Sequence, residues 1–291
     1  MANTRELRRR IRSVKNTAQI TKAMQMVAAT KMRRAQNQAI NGRPYSSNLS
    51  SALERLLPLI NIESHTLFSG NGSETKGIIL LSTDKSLCGA LNTNLFRMLV
   101  SSGFTGGKTV FYTVGKKGRN FVARSGKDLQ ADFENLDVVT FREAVQLAKL
   151  VMEAFLAGEI GEAYLVYPRF VSTLRQESTK VKLLPIDLES VIEANAMESK
   201  REASSAKEFI FEPEPDKLLD YILVHHIQIR IYQALLETKA SEHSARMIAM
   251  QNATDNALDL VSDLNLTYNQ TRQDAITKEL LEITTAALAM T

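Results

Sequence analysis

From Asp216 to Thr291 the chain runs for 76 residues without a single Gly or Pro. Both residues oppose a helix interior, Gly by about 1 kcal/mol and Pro by about 3 kcal/mol relative to Ala, so the stretch reads as one continuous helix. At about 1.5 Å per residue, residues 217–288 would extend roughly 108 Å, several times the diameter of any domain a chain of this size can make. Such a helix must lie against something else.

The other end of the chain offers the partner. Ala2 to Asn41 also lacks Gly and Pro, so all 13 Gly and all 6 Pro fall between the two ends. In the C-terminal stretch Ala240, His243, Met247, Met250, Thr254, Ala257, Val261, Leu264, Tyr268, Thr271 and Ala275 follow a three-four spacing, a thin heptad seam with small and polar members. Ile11, Val14, Ala18, Thr21 and Met24 give a similar seam near the N-terminus. Charge agrees with the pairing: residues 1–34 hold ten Lys/Arg against Glu6 alone, and residues 216–291 hold six against ten Asp/Glu. The two ends are therefore expected to form an antiparallel coiled coil. Asn41-Gly42-Arg43-Pro44 predicts a kink in the first helix rather than its end, because Leu49, Leu53, Leu56 and Leu57 resume the apolar pattern beyond it.

After a Ser-, Asn- and Gly-rich loop from Pro58 to Lys76 the pattern changes. GIILLST (77–83), TVFYTV (109–114), EAYLVYPRF (162–170) and TKVKLLP (179–185) read as strands, with helices near 88–101, 116–125 and 141–157. Alternation of strand and helix implies an α/β domain with a largely parallel sheet. The polar stretch 195–215, ending in Glu212-Pro213-Glu214-Pro215, stops this domain before the last helix. The expected organisation is an α/β protein: a shaft helix over 1–58, an inserted Rossmann-like domain over 76–212 and a second shaft helix over 216–291.

The 291 residues, 44% hydrophobic, can bury a real core. No run of about 18 apolar residues exists to span a bilayer, and MANTRELRRRIRS lacks the apolar segment of a secretory signal, so a bacterial cytoplasmic protein is expected. Cys88 is the single cysteine; an intramolecular disulfide, a zinc cluster or a two-thiol switch cannot be built from one thiol.

Several motifs invite a chemical reading. Glu242-His243-Ser244 places an acid, a base and a nucleophile in a row, but on a helix each step turns by about 100°, so the three point apart and cannot form a relay. Ser82 to Asn92 follows the first strand, where doubly wound domains take ligands at a helix N-terminus, making Asp84 or Cys88 a candidate anion or nucleophile site. The plainer reading, a tight turn and helix start with Cys88 packed inside, is preferred. Neither GxxxxGK[ST] nor GxGxxG is present, and Gly115-Lys116-Lys117-Gly118 is too short for either. The basic N-terminus could bind nucleic acid, but it lacks interleaved aromatics and an acidic partner helix accounts for much of its charge. His225 and His226 face two ways on a helix, so a metal site is not expected there.

The helices differ in length. The first, about residues 4–57, is some 18 residues shorter than the second, so about 27 Å of the C-terminal helix should project past its partner if the other ends are level. This piece, AITKELLEITTAALAMT, carries Leu280, Leu281, Ile283, Ala286, Ala287, Leu288 and Met290. A lone apolar tip is unfavourable in water and should sit in another protein.

With these features assembled, the chain resembles the gamma subunits of F-type ATP synthases, the central rotor shaft, along essentially its whole length. The resemblance is carried by RRRIRSVKNTAQITKAMQMVAATKMRRAQ (8–36), LLSTDKSLCGALNTNLF (80–96) and the stretch from ASEHSARMIAMQNATDNALDL through TRQDAITKELLEI (240–283). It implies a terminal coiled coil with a Rossmann-like domain at its base and no catalytic nucleotide site and no cofactor. It further implies a shaft standing inside a ring of three alpha and three beta subunits, its foot resting with the epsilon subunit on the membrane c-ring, and no nucleic acid among the partners. The location implied is peripheral, on the cytoplasmic face of the bacterial inner membrane.

Where motifs match, the resemblance also implies residues. Met24 lies in the shaft stretch near the beta subunits, and Arg272, Gln273, Thr277 and Glu279 match the polar contacts to their moving loops. Leu280, Leu281, Ile283 and Leu288 belong to the apolar tip in its bearing, and His226 and Gln228 are candidates for the foot surface toward epsilon and the c-ring. With Cys88 alone, the chain should lack the two-cysteine regulatory loop of chloroplast members.

Overall fold

The computed structural model describes residues 4–56, 66–104, 106–187 and 215–289. Along the chain run α1 (Thr4–Leu56), α2 (Thr66–Ser69), β1 (Lys76–Leu81), α3 (Leu91–Ser101), β2 (Thr109–Val114), α4 (Lys116–Arg124), β3 (Asp128–Phe133), α5 (Phe141–Leu156), β4 (Glu162–Phe170), β5 (Gln176–Leu184) and α6 (Pro215–Ala289). Two compact units result: one from Met1–Ala29 with Arg246–Thr291, the other from Thr30–Ala245.

The larger unit is built on a five-stranded sheet of order β3-β2-β1-β4-β5. β1 pairs in parallel with β2 and β4, β2 in parallel with β3, and β5 closes one edge antiparallel to β4. β1 is the central strand, and its unbroken run of apolar residues has a physical cause, since both of its faces are covered. Ile78 and Leu80 pack with Leu95 and Leu99 of α3, Val122 of α4 and Phe111. Ile79 and Leu81 belong to the opposite core, with Leu147, Val151 and Phe155 of α5, Leu223 and Ile231 of α6, and Leu53 of α1. Each fully buried Leu or Ile contributes about 1.5–3 kcal/mol, so this doubly covered strand is the strongest anchor of the unit.

The expected strands and helices are present with shifts of a few residues, and β3 is an addition. Its sequence, DLQADF, alternates exposed and half-buried positions, as an edge strand does, and carries no apolar run to signal it. Helix α3 begins at Leu91 rather than 88, because Leu87 (φ 66°) and Gly89 (φ 58°) turn left-handed ahead of it. Pro215 opens α6 at the position where a missing N–H costs nothing, while the rest of the expected stop over 195–214 lies outside the described residues, as do residues 58–65 of the expected loop over 58–76, in which Thr66–Ser69 form the short helix α2.

Helix α1 continues through Pro44. Proline removes one backbone donor and crowds the carbonyls of the preceding turn, leaving acceptors to be satisfied from elsewhere. One turn before the proline, Ala39 O also accepts a side-chain bond, from Gln233 Nε2 at 3.3 Å. Gly42 makes room for that side chain, since a Cβ there would stand 3.3 Å from Gln233 Oε1.

In the smaller unit α1 and α6 run antiparallel. Arg8 donates to Tyr268 Oη at 2.7 Å, the Thr21 and Thr254 hydroxyls meet at 2.7 Å, and Gln25 donates to Gln251 at 3.5 Å, so residue numbers rise on one helix as they fall on the other. Leu7, Ala18, Thr21 and Ala28 are buried, and Ile11, Val14 and Gln25 between them are half-buried or less covered, in a four-three rhythm. On α6, Met250, Thr254, Ala257, Val261, Leu264, Tyr268 and Thr271 are the covered positions, as their spacing predicted. Ala275 is not: it is exposed, because the described start of α1 lies opposite residues near 272 and none of the described residues pairs with α6 beyond. The remaining 17 or so residues to Ala289 extend about 25 Å, in agreement with the length argument.

Candidate functional site

In an open α/β sheet the place for a ligand is the crevice at the C-terminal ends of the strands where strand order reverses, here between β1 and β4. The neighbouring crevice, between the ends of β1 and β2 where α4 begins, is filled by the chain itself. Asp84 Oδ1 accepts the Lys116 N–H at 2.8 Å, Thr83 O accepts that of Lys117 at 3.0 Å, and Ser82 Oγ accepts that of Gly118 at 2.7 Å. The first three N–H groups of α4, which a phosphate would need, are all occupied. The two glycines serve close packing instead. A Cβ at Gly115 would lie 2.5 Å from Ser82 O, and one at Gly118 2.8 Å from Ser82 Oγ. Cys88 is buried, with its sulfur 3.3 Å from the Asn92 amide, which also donates to Thr83 Oγ1 at 2.8 Å. This is packing around a turn rather than an exposed nucleophile.

Helix α6 completes the filling with a buried charged cluster. Lys239 Nζ donates to Asn135 O at 3.0 Å and lies 3.5 Å from Glu242 Oε2. The Asn135 amide donates to Ser82 O at 2.7 Å and to Glu242 Oε2 at 3.4 Å. All three side chains are buried. Burial pushes the Lys239 ammonium down from its ordinary range, and the Glu242 carboxylate opposes that shift. The cluster ties α6 to the end of β1 and to the loop after β3.

The acid-base-nucleophile row is resolved by the same packing. Glu242 turns to Lys239 and Asn135, whereas Ser244 donates to Thr173 O at 2.6 Å and Ser241 to Pro168 O at 2.9 Å. Here α6 is buried on every side from Lys239 to Ser244, against β4, the β4–β5 turn and the β3–α5 loop, and no relay forms. Sequence spacing foresaw the three directions but only one buried face. Asn135 and Lys239 are not marked by the sequence: Lys239 and Glu242, three apart, read as an ordinary surface pair on a helix, and the Asn135 that buries them lies about a hundred residues away.

The remaining sequence-predicted residues are spread over both units. In the larger, His226 is buried among Leu183, Ile186 and Arg230; burial, and then the Arg230 charge, lowers its pKa to about 3. Gln228 is half-buried and faces His225, whose other ring nitrogen lies 2.7 Å from Tyr45 Oη. In the smaller unit Met24 is half-buried beside the Thr21–Thr254 contact. Arg272, Gln273, Thr277 and Glu279 are exposed on α6, and beyond them Leu280, Leu281, Ile283 and Leu288 are 57%, 59%, 65% and 76% exposed. Among the described residues no cluster of three or more His, Cys, Asp or Glu is arranged to hold a metal ion, and no helix is long and apolar enough to cross a membrane.

Comparison with known proteins covers the chain end to end. The family model described as ATP synthase matches residues 3–290. A protein of Methylacidiphilum infernorum named ATP synthase gamma chain is 45% identical over 295 residues, spanning 100% of both chains. Those of Akkermansia muciniphila and Opitutus terrae are 41% and 40% identical, spanning 100% and 99% of both chains. Among solved structures, a chain from the Euglena gracilis mitochondrial ATP synthase (OSCP/F1/c-ring, rotational state 3) matches with TM-score 0.69 and 22% identity, covering 99% of this chain and 94% of that one. A chain from the central stalk and c-ring of the Tetrahymena thermophila mitochondrial enzyme matches with TM-score 0.60 and 24% identity over 80% of this chain and 99% of that one, a likeness of fold.

Proposed function

The chain belongs to the ATP synthase family, and on that premise we propose that it is the gamma subunit of an F-type enzyme. As such it is the central rotor shaft, coupling rotation of a membrane c-ring to conformational cycling of the catalytic beta subunits, with no catalysis of its own. The observation that carries this reading is the bare end of α6: a regular helix, unpaired by α1, displaying four large apolar side chains to water between Leu280 and Leu288. A short lone helix is marginal in water, and such a tip is stabilised by enclosure in a partner. A ring of three alpha and three beta subunits supplies the enclosure.

The mechanism is mechanical. An asymmetric shaft presents a different face to each of three chemically identical sites and shifts each between conformations by differential contact alone. Moving a site from mostly open to mostly closed takes about 5.5 kcal/mol of differential interaction. A few exchangeable hydrogen bonds to charged groups, at about 1.5–3 kcal/mol each, reach that total without a deep apolar interlock that would stall rotation. Arg272, Gln273, Thr277 and Glu279 suit that collar, with Met24 near the same beta surfaces. At the foot, toward the epsilon subunit and the c-ring, Gln228 can offer a direct contact, whereas buried His226 can act only through packing. The complex places the chain peripherally at the cytoplasmic face of a bacterial inner membrane.

Mixing the chain with its organism's alpha and beta subunits tests the reading. Recovery of a 3:3:1 assembly with ATPase activity is expected; a lone soluble species with salt-sensitive DNA affinity overturns it. In the assembled enzyme, Arg272→Glu is expected to impair coupled ATP synthesis while leaving the chain folded, and unchanged synthesis would remove Arg272 from the collar.

A further inference from the structure

Shaft function leaves one cavity of the larger unit unused. It opens where β2 and β3 end, between α5 and α6, and has a volume of about 200 Å³. Its walls separate by chemistry. Val139, Leu147 and Leu235 line it and are buried, while Glu134 and Gln146 line it and are exposed, with Glu143 half-buried beside them. The interior is therefore mainly apolar, with buried Asn135 as a polar exception, and the mouth mainly polar, with exposed Leu136 beside it, the distribution expected of a small-molecule site.

The sign of the mouth narrows the ligand. Its two formal charges are the carboxylates of Glu134 and Glu143. Glu143 accepts from neutral groups, the Thr140 hydroxyl at 3.2 Å and N–H at 3.4 Å, which do not cancel its charge. Glu134 meets Lys116 Nζ at 3.6 Å in a pair whose side chains are both more than half exposed, which solvent weakens. An anion would meet two carboxylates on entry, and a neutral apolar molecule would leave them unused. As to size, an apolar cavity of about 150 Å³ accommodates a benzene ring.

We propose that this cavity is a binding site for a small amphiphilic cation: an apolar body about one ring in size carrying a single ammonium group. The body occupies the space between Val139, Leu147 and Leu235, and the ammonium stands between Glu134 and Glu143. Such a ligand would bridge α5 and Leu235 of α6, and its binding does not depend on the rotor reading.

Benzylamine, with benzoate as its charge-reversed counterpart, provides the test on the full chain by calorimetry or ligand-observed NMR. Benzylamine is expected to saturate one site with a Kd of about 1 mM or tighter, and benzoate to bind at least about tenfold more weakly. In Glu134→Gln/Glu143→Gln the preference should fall at least about fivefold, and Gln at 143 can still serve the helix cap. Gln146→Trp, a change at an exposed position whose bulk can cover the mouth, should weaken benzylamine about tenfold while the thermal transition stays in place. Absence of saturable benzylamine binding, equal binding of benzoate, or binding untouched in Gln146→Trp would each overturn the proposal.

Discussion

The two units of this chain bury their side chains in opposite ways. In the larger, Phe111, Phe155, Ile78, Leu80 and Leu99 are at most 1% exposed. In the smaller, the buried seam positions are mostly small, Ala18, Thr21, Ala28, Thr254 and Ala257, with Leu7 and Met250 the larger ones, while Ile11, Val14, Val261 and Leu264 are only half-buried. A core of large side chains gains several times more burial energy per residue than a seam of Ala and Thr. The difference shows where the chain supports itself and where it depends on others: the α/β unit can hold its own shape, and the coil trades stability for slenderness. That suits a shaft that must be gripped from outside.

The sharpest way to break this contrast is a deletion in the larger core. Phe155→Ala is expected to cost about 3–5 kcal/mol in denaturant unfolding of that unit, and a cost under about 1 kcal/mol would remove the contrast. Lys239→Met should cost about 3 kcal/mol by stranding the buried Glu242 carboxylate, and adding Glu242→Leu should restore part of it; additive losses in a double-mutant cycle would show that the pair is not coupled.

A pH titration sharpens the same side. The folded pKa of His226 is about 3 against an ordinary value near 6.5, so the unfolded chain binds the extra proton first. Its contribution therefore falls as pH drops through 6.5 toward 3, by about 2 kcal/mol between pH 7 and 5. His226→Gln should flatten that part of the stability profile. On the coil side, Thr21→Val should cost about 1 kcal/mol or less, because the Thr254 hydroxyl keeps its bond to Met250 O at 2.8 Å. The smallest effect belongs to the tip: Leu281→Glu should change stability of the free chain by less than about 0.5 kcal/mol while lowering yield of the alpha–beta assembly.

What the sequence made legible follows these same lines. Absence of Gly and Pro over 216–291 was enough to predict α6, because both residues cost stability in a helix interior, and its length against α1 was enough to predict the unpaired end. GIILL announced β1, since a strand buried on both faces needs an unbroken apolar run. DLQADF announced nothing, since an edge strand takes half its pattern from solvent. The Asn135–Lys239–Glu242 cluster was equally silent: charged residues on a helix read as a solvated face unless the partner that buries them is known. The cavity beside Glu143 is likewise a product of three elements meeting, and no single stretch encodes it.

Rotation tests the central claim most directly. A probe attached through Gln130→Cys, at an exposed position of β3, would be followed in single alpha–beta assemblies fixed to a surface while ATP is supplied. The account predicts that the probe turns in one direction with three pauses per revolution, one for each catalytic site. Assemblies that hydrolyse ATP while the probe stays still would contradict it.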